Sequence, residues 1–210
     1  MGHDDETIME RLRRETSELH SRAESRPLQR AIAKGEVERP AYIAYLGQLH
    51  AIHRTLEGAF DDVRGAHPAI DSVATPDRWR VPDLEFDLEF YGVDPEDLDS
   101  ADATTRFVSL IESTKASDPV ALLGALYVLE GSTNGGRFLA QVLRRRWNLD
   151  GAGVASLDPY GDRQPEHWAA FKRKMNGATF ESEHRDAIVE MAKRTFEAIA
   201  EVSDEVSATG

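Results

Sequence analysis

The stretch LYVLEGSTNGGRFL, residues 126–139, decides how this chain folds. Apolar runs at helical spacing enter and leave it, yet Gly131, Gly135 and Gly136 stand in its middle. A glycine inside a helix costs about 1 kcal/mol relative to alanine, so three of them need a reason. Gly124, Gly131 and Gly135 are separated by seven and four residues. At 100° per residue they fall within about 40° of one line along a helix. A helix that continues through this stretch presents one face without side chains, and Gly136 beside Gly135 allows it to bend there.

The surrounding sequence reads as helix nearly throughout. Residues 6–24 carry Ile8, Leu12, Thr16, Leu19 and Ala23 at helical spacing. RPLQRAIAKG gives a short helix that stops at Gly35, and a long helix over about 39–64 buries Leu49, Ile52, Leu56 and Phe60. Residues 65–82, with three prolines, read as loop. DLEFDLEFYG is a short helix, VDPEDLDSAD an acidic connector and TTRFVSLIEST another helix. Asp118-Pro119 caps and opens the glycine-bearing helix, which runs to about 147. GAGVASLDPYGDRQPEH reads as loop, followed by helices over about 165–176 and 181–206. No strand, repeat or linker divides the chain. The expectation is one all-α domain over 1–210 with its core over about 8–202. Ferritin-like, TenA-type and haem-oxygenase folds all share that gross pattern.

Composition bounds the function. The chain of 210 residues has no cysteine, which excludes disulfides, thiolate metal sites and cysteine nucleophiles. That fits a cytoplasmic protein. A net charge of −13 argues against nucleic-acid binding. No apolar run approaches a membrane span, and the acidic start MGHDDETIMERLRRE has no signal-peptide core. An anionic ligand would need the basic residues to be locally concentrated.

Four readings of the glycines stand side by side. The helix could stop at Gly131 and restart with Ser132 or Thr133 as cap. The glycines could allow close helix packing. GSTNGG could be a phosphate loop, but it lacks the GxxxxGK[ST] pattern and no strand precedes it. Or a flat cofactor lies across the bare face, which needs a partner on its other side. His20, at the border of the first helix's apolar stripe, is the candidate. Arg13, seven residues earlier, shares its face about 10 Å along the axis. Iron at an imidazole and a carboxylate at a cation would suit a haem.

HSRAESRPLQRAIAKGEVERPAYIAYL, ALYVLEGSTNGGRFLAQVL, and AFKRKMNG followed by HRDAIVEMAKRTFEAI together resemble the haem oxygenase family, over roughly residues 8–202. The serine-containing GSxxGG form is similar to bacterial members, including those associated with bacteriophytochromes. The resemblance implies that His20 ligates the haem iron, with Glu24 orienting it. It implies that Arg13 and Lys172 meet the propionates, that Phe196 packs on the ring, and that Gly131 and Gly135 let the backbone lie close over it. Many family members carry an aspartate directly after the first distal glycine. Ser132 stands there, an uncharged group that can anchor a water for proton delivery. Asn134 replaces a usually apolar residue, and Tyr127 neighbours the position of a propionate-contacting tyrosine. Haem would be substrate and cofactor, opened with O2 to a biliverdin, carbon monoxide and iron. No flavin or nicotinamide pattern is present. The resemblance therefore implies an external donor, a ferredoxin or flavoprotein reductase, and a bilin acceptor such as a phytochrome. A non-catalytic haem or bilin binder of the same fold, and a cofactor-free helical scaffold, are the alternatives.

Other features read more plainly. His50, His53 and Glu57 flank a buried stripe and are expected as surface or partly buried groups. Glu181 and His184 form a lone ExxH, too little for a di-iron bundle, and read as a solvated helix start. Arg144, Arg145 and Arg146 suit a helix C-terminus. Trp147, Trp168 and Phe171 are expected in the core.

Overall fold

A computed structural model describes residues 6–209; positions 1–5, which include most of the acidic start, and 210 lie outside the described residues. The helices are α1 (Ile8–Glu24), α2 (Pro27–Lys34), α3 (Arg39–Asp62), α4 (Pro68–Val73), α5 (Val81–Phe90), α6 (Asp102–Ser117), α7 (Leu122–Trp147), α8 (Gln164–Gly177) and α9 (Ser182–Thr209). Short 3-10 turns join several of them, and the class is all-α, with no strand among the described residues.

Local chemistry sets the boundaries. Thr7 and Glu10 form a reciprocal capping box that opens α1. α2 ends at Gly35, whose φ of 70° is the left-handed cap glycine supplies without strain. The segment 65–82, expected as loop, holds α4 and a 3-10 turn at Pro76–Arg78. Its prolines begin helical elements at Pro68, Pro76 and Pro82 instead of interrupting them. Proline lacks an N–H that a first helical turn leaves unbonded anyway. The segment after α7 is likewise structured, with 3-10 turns at Ala155–Leu157 and Gly161–Arg163.

One apolar core runs through the molecule. Leu12, Leu46, Ile52, Phe60, Leu122, Ile188 and Phe171 belong to it and are all but fully buried. Each such side chain contributes roughly 1.5–3 kcal/mol of transfer free energy. α9 is the spine. α1 runs beside it in the same direction, since Arg11 pairs with Asp186, Glu15 with Lys193, and His20 lies against Phe196. α7 crosses α9 at Gly124, where a Cβ would overlap the Ile188 carbonyl oxygen. No described helix is long and apolar enough to cross a membrane.

Candidate functional site

The glycines that share one line on α7 meet three different environments. Gly124 faces the α9 backbone and is a packing contact, so it does not belong to the bare face the spacing suggests. A Cβ on Gly131 would stand 3.5 Å from the Trp168 ring. A Cβ on Gly135 would meet nothing within 4 Å. Tyr127, on the same side, reaches the Thr16 hydroxyl and the field of Arg13; burial raises its pKa and those two groups pull it back. Further along that side, Val142 lies 3.1 Å from a Cβ position on Gly35. α7 is thus held against α1 at one end and against the end of α2 at the other. Between Gly131 and Val142, about 16 Å of helix axis at 1.5 Å per residue, its face is a window. Phe138 projects on that side with 57% of its surface exposed.

α1 approaches α7 where Thr16 and Arg13 meet Tyr127. His20 lies one turn beyond Thr16, and its side chain is 54% exposed. Its Nδ1 stands 3.6 Å from the Glu24 carboxylate, leaving Nε2 on the free edge of the ring. The Phe196 ring meets it edge-on at 5.5 Å between centroids. Arg13 and Lys172 are exposed and form no ion pair among the described residues. Lys172 is one turn along α8 from Trp168, which borders the window and stacks on Phe171 at 5.3 Å. Trp168 and Trp147 are half-buried where core positions are expected, while Phe171 is fully buried.

α7 is unbroken from Leu122 to Trp147, which removes the reading of a stop and restart at Gly131. Three successive side chains bond back to its own carbonyls. Ser132 Oγ donates to the Leu129 carbonyl at 2.7 Å, Thr133 Oγ1 to Glu130 at 2.6 Å, and the Asn134 amide to Gly131 at 2.8 Å. The Gln164 amide donates to Thr133 Oγ1 at 2.8 Å and to Asn134 Oδ1 at 3.3 Å. Gly136 is not a flexible joint; the Leu157 carbonyl occupies the space a Cβ would take.

Behind the window lies a buried polar cluster. Arg78 donates to Glu130 at 2.6 Å, and both side chains are almost wholly buried. The Tyr160 hydroxyl donates to Glu130 at 3.0 Å and accepts from Arg80 at 2.8 Å. Burial, chiefly, and the Glu130 charge push the Tyr160 pKa upward. Glu57 accepts the backbone N–H of Arg80 at 2.6 Å, tying the start of α5 to α3. His53 Nδ1 lies 3.3 Å from the Glu57 carboxylate. Asp87, fully buried, accepts from the Ala155 and Ser156 backbone at 2.7 and 2.8 Å. Sequence reasoning missed Arg78, Arg80, Glu130, Tyr160 and Gln164. The one available signal was a glutamate closing the apolar run LYVLE.

No His, Cys, Asp and Glu group suited to a metal ion occurs among the described residues. His184, expected at a solvated helix start, is half-buried against His67 at 5.4 Å, with Nδ1 unbonded. Arg144 pairs with Asp158 at 3.0 Å as well as sitting at the helix end. A surface cleft of about 710 Å³ lies by His50, Glu85, Glu89 and Asp94. Its carboxylates disfavour an anionic ligand.

The window suits haem. It offers an imidazole nitrogen, an aromatic flank at Phe196, exposed cations at Arg13 and Lys172 without an ion pair among the described residues, and open space in front of the Gly135 backbone. The chain is 27% identical over 196 residues to "Heme oxygenase" of Takifugu rubripes, covering 90% of this chain and 70% of that one. It is 26% identical to "Heme oxygenase 1" of Synechocystis sp., covering 90% and 80%. The crystal structure of the Synechocystis heme oxygenase-1 in complex with heme superposes with a TM-score of 0.89 at 23% identity, covering 97% of this chain and 94% of that one, which establishes the fold. The family model described as "Heme oxygenase" matches residues 6–205, and the chain belongs to that family.

Proposed function

We propose that this chain opens haem to a biliverdin in the window between α1 and α7, with the α1 imidazole on one side of the ring and the α7 backbone on the other. Haem, when bound, supplies the iron that activates O2 and the ring that is opened, and carbon monoxide and iron leave with the bilin. His20 would hold the iron through Nε2, with the Glu24 carboxylate beside Nδ1 orienting the ring. Phe196 packs against the ring beside His20. Gly131 and Gly135 let main chain lie close to the opposite face. That proximity selects which edge of the ring reacts.

Arg13 and Lys172 meet the propionates. Exposed charge pairs contribute about 0–1 kcal/mol each, so their main effect is on ring orientation. Ser132 already commits its proton to the Leu129 carbonyl. A hydroxyl keeps two acceptor positions, so Ser132 can hold a water whose own proton points into the window. Tyr127, half-buried beside Thr16 and in the field of Arg13, is a weaker candidate for a propionate contact. Electrons come from a ferredoxin or a flavoprotein reductase, a phytochrome-type protein takes the bilin, and the reaction belongs in the cytoplasm.

The observation that carries this reading is the open space in front of Gly135, on a helix whose Tyr127 meets Thr16 one turn before His20, in a chain whose family match spans 6–205. Hemin titration followed by reduction under air, with chromatography of the pigment, tests it. A Soret band that gives way to bilin absorption supports it. A stable Soret band under reductant leaves only a binder, and no band removes the reading.

A further inference from the structure

The back of the bare segment is gripped at three successive points. Glu130 is held by Arg78 and Tyr160, Thr133 by Gln164, and Gly136 sits on the Leu157 carbonyl. Of these, Glu130 is physically the most expensive. A buried ion pair gives up the hydration of two charges, and well-packed apolar side chains of similar volume often stabilise a fold as well or better. Stability alone therefore does not account for Arg78–Glu130. An ion pair does what an apolar contact cannot: it fixes a distance and a direction.

The partners of Glu130 come from two separate segments. Arg78 belongs to the 3-10 turn after α4, where its Nε donates to the Val73 carbonyl at 3.1 Å and its guanidinium lies 5.2 Å from the Phe171 ring centroid. Tyr160 belongs to the segment after α7; Arg80 stands over its ring at 4.7 Å and His167 stacks on it at 3.9 Å. Each partner is thus immobilised before it reaches Glu130. The carboxylate it meets is on the residue directly before Gly131.

We propose that Glu130 is a positioning residue: its carboxylate, fixed by Arg78 and Tyr160, sets the height of the Gly131–Gly135 backbone over the window. As far as the window is a haem site, this rests on the function proposed above. The consequence for that reaction is selectivity. Glu130 does not touch the ligand; it sets how closely main chain approaches it, and so which ring edge reacts.

The test compares wild type with the double variant Arg78→Leu/Glu130→Leu, which leaves no orphaned charge. Glu130→Asp, which keeps the charge but shortens its reach, is the second variant should the first fail to fold. In haem-free protein, amide hydrogen exchange over 131–137 should accelerate about tenfold or more, with exchange in α3 and α9 unchanged. In hemin-loaded protein, the visible spectrum should shift and the bilin isomer ratio should broaden. Glu130→Asp should change both in the same direction by less. Unchanged exchange over 131–137 in a folded variant overturns the proposal, as does faster exchange with an unaltered spectrum and isomer ratio. If wild type takes up no hemin, the proposed function fails, while the exchange comparison still reports whether Glu130 fixes the segment.

Discussion

The carbonyl oxygen of Leu157 sits against the α carbon of Gly136, in the space a β carbon would need. Gly124 stands in the same relation to Ile188, whereas Gly135 has open space in front of it. Alanine should therefore act oppositely at these sites. Gly124→Ala and Gly136→Ala should each destabilise by about 1–3 kcal/mol, because backbone must move to relieve the overlap. Gly135→Ala should stabilise by up to about 1 kcal/mol through helix propensity. Denaturant unfolding of the three variants decides it. Gly135→Leu should retain hemin uptake while lowering bilin yield far more than Gly135→Ala does.

That contrast marks where the sequence could be read and where it could not. The angular spacing of Gly124, Gly131 and Gly135 follows from 100° per residue and needs no partner. What each glycine faces depends on segments far along the chain. Ile188 lies against Gly124, Trp168 against Gly131, and nothing against Gly135. His20 is proposed from its place on a stripe border and from the family motif, both readable along the chain. Glu130 is not readable in that way, because Arg78 and Tyr160 stand 52 and 30 residues away and no local pattern announces them. The prolines at 68, 76 and 82 look like helix breakers only until one sees that each occupies a first turn.

His20→Ala should keep weak hemin association, since most of the affinity comes from apolar burial, but should lose bilin formation. A loss of the Soret line shape together with the activity, read by absorption spectroscopy, is the expected result. Unchanged bilin yield would remove His20 as the ligand.

Arg13→Ala and Lys172→Ala should weaken hemin binding only slightly, by up to about 1 kcal/mol each, as befits exposed cations. Their clearer effect should be a mixture of ring-opened isomers where wild type gives fewer. Chromatography of the pigments checks this, and a high-salt buffer should reduce the affinity difference.

All five tyrosines are held above the usual phenol pKa, in each case first by burial. Tyr91 is pushed up to about 12, by burial and the nearby Asp87 charge. An unfolded phenol titrates near pH 10. The stability contributed by keeping these phenols neutral is complete below about pH 10 and is lost as pH climbs through the folded values. Phenolate absorbance should thus lag behind pH in the native protein and rise together with loss of helical circular dichroism.

Asp87→Asn should cost about 1–3 kcal/mol. The fully buried carboxylate accepts at 2.7 Å from Ala155, at 2.8 Å from the Ser156 backbone and at 2.7 Å from the Ser156 hydroxyl, and an amide cannot accept all three. Because this anchor lies just before Leu157, thermal melting should be accompanied by faster exchange near Gly136.

α7 answers to two masters on opposite sides of one cylinder. Residues turned toward the loop after it hold the helix in place, while those turned outward, such as Gly135 and Phe138, decide what that face tolerates. Only the first group is bound up with folding. Change can accumulate on the outward side at little thermodynamic risk, so a lineage built on this helix is free to alter its chemistry while its architecture stays put.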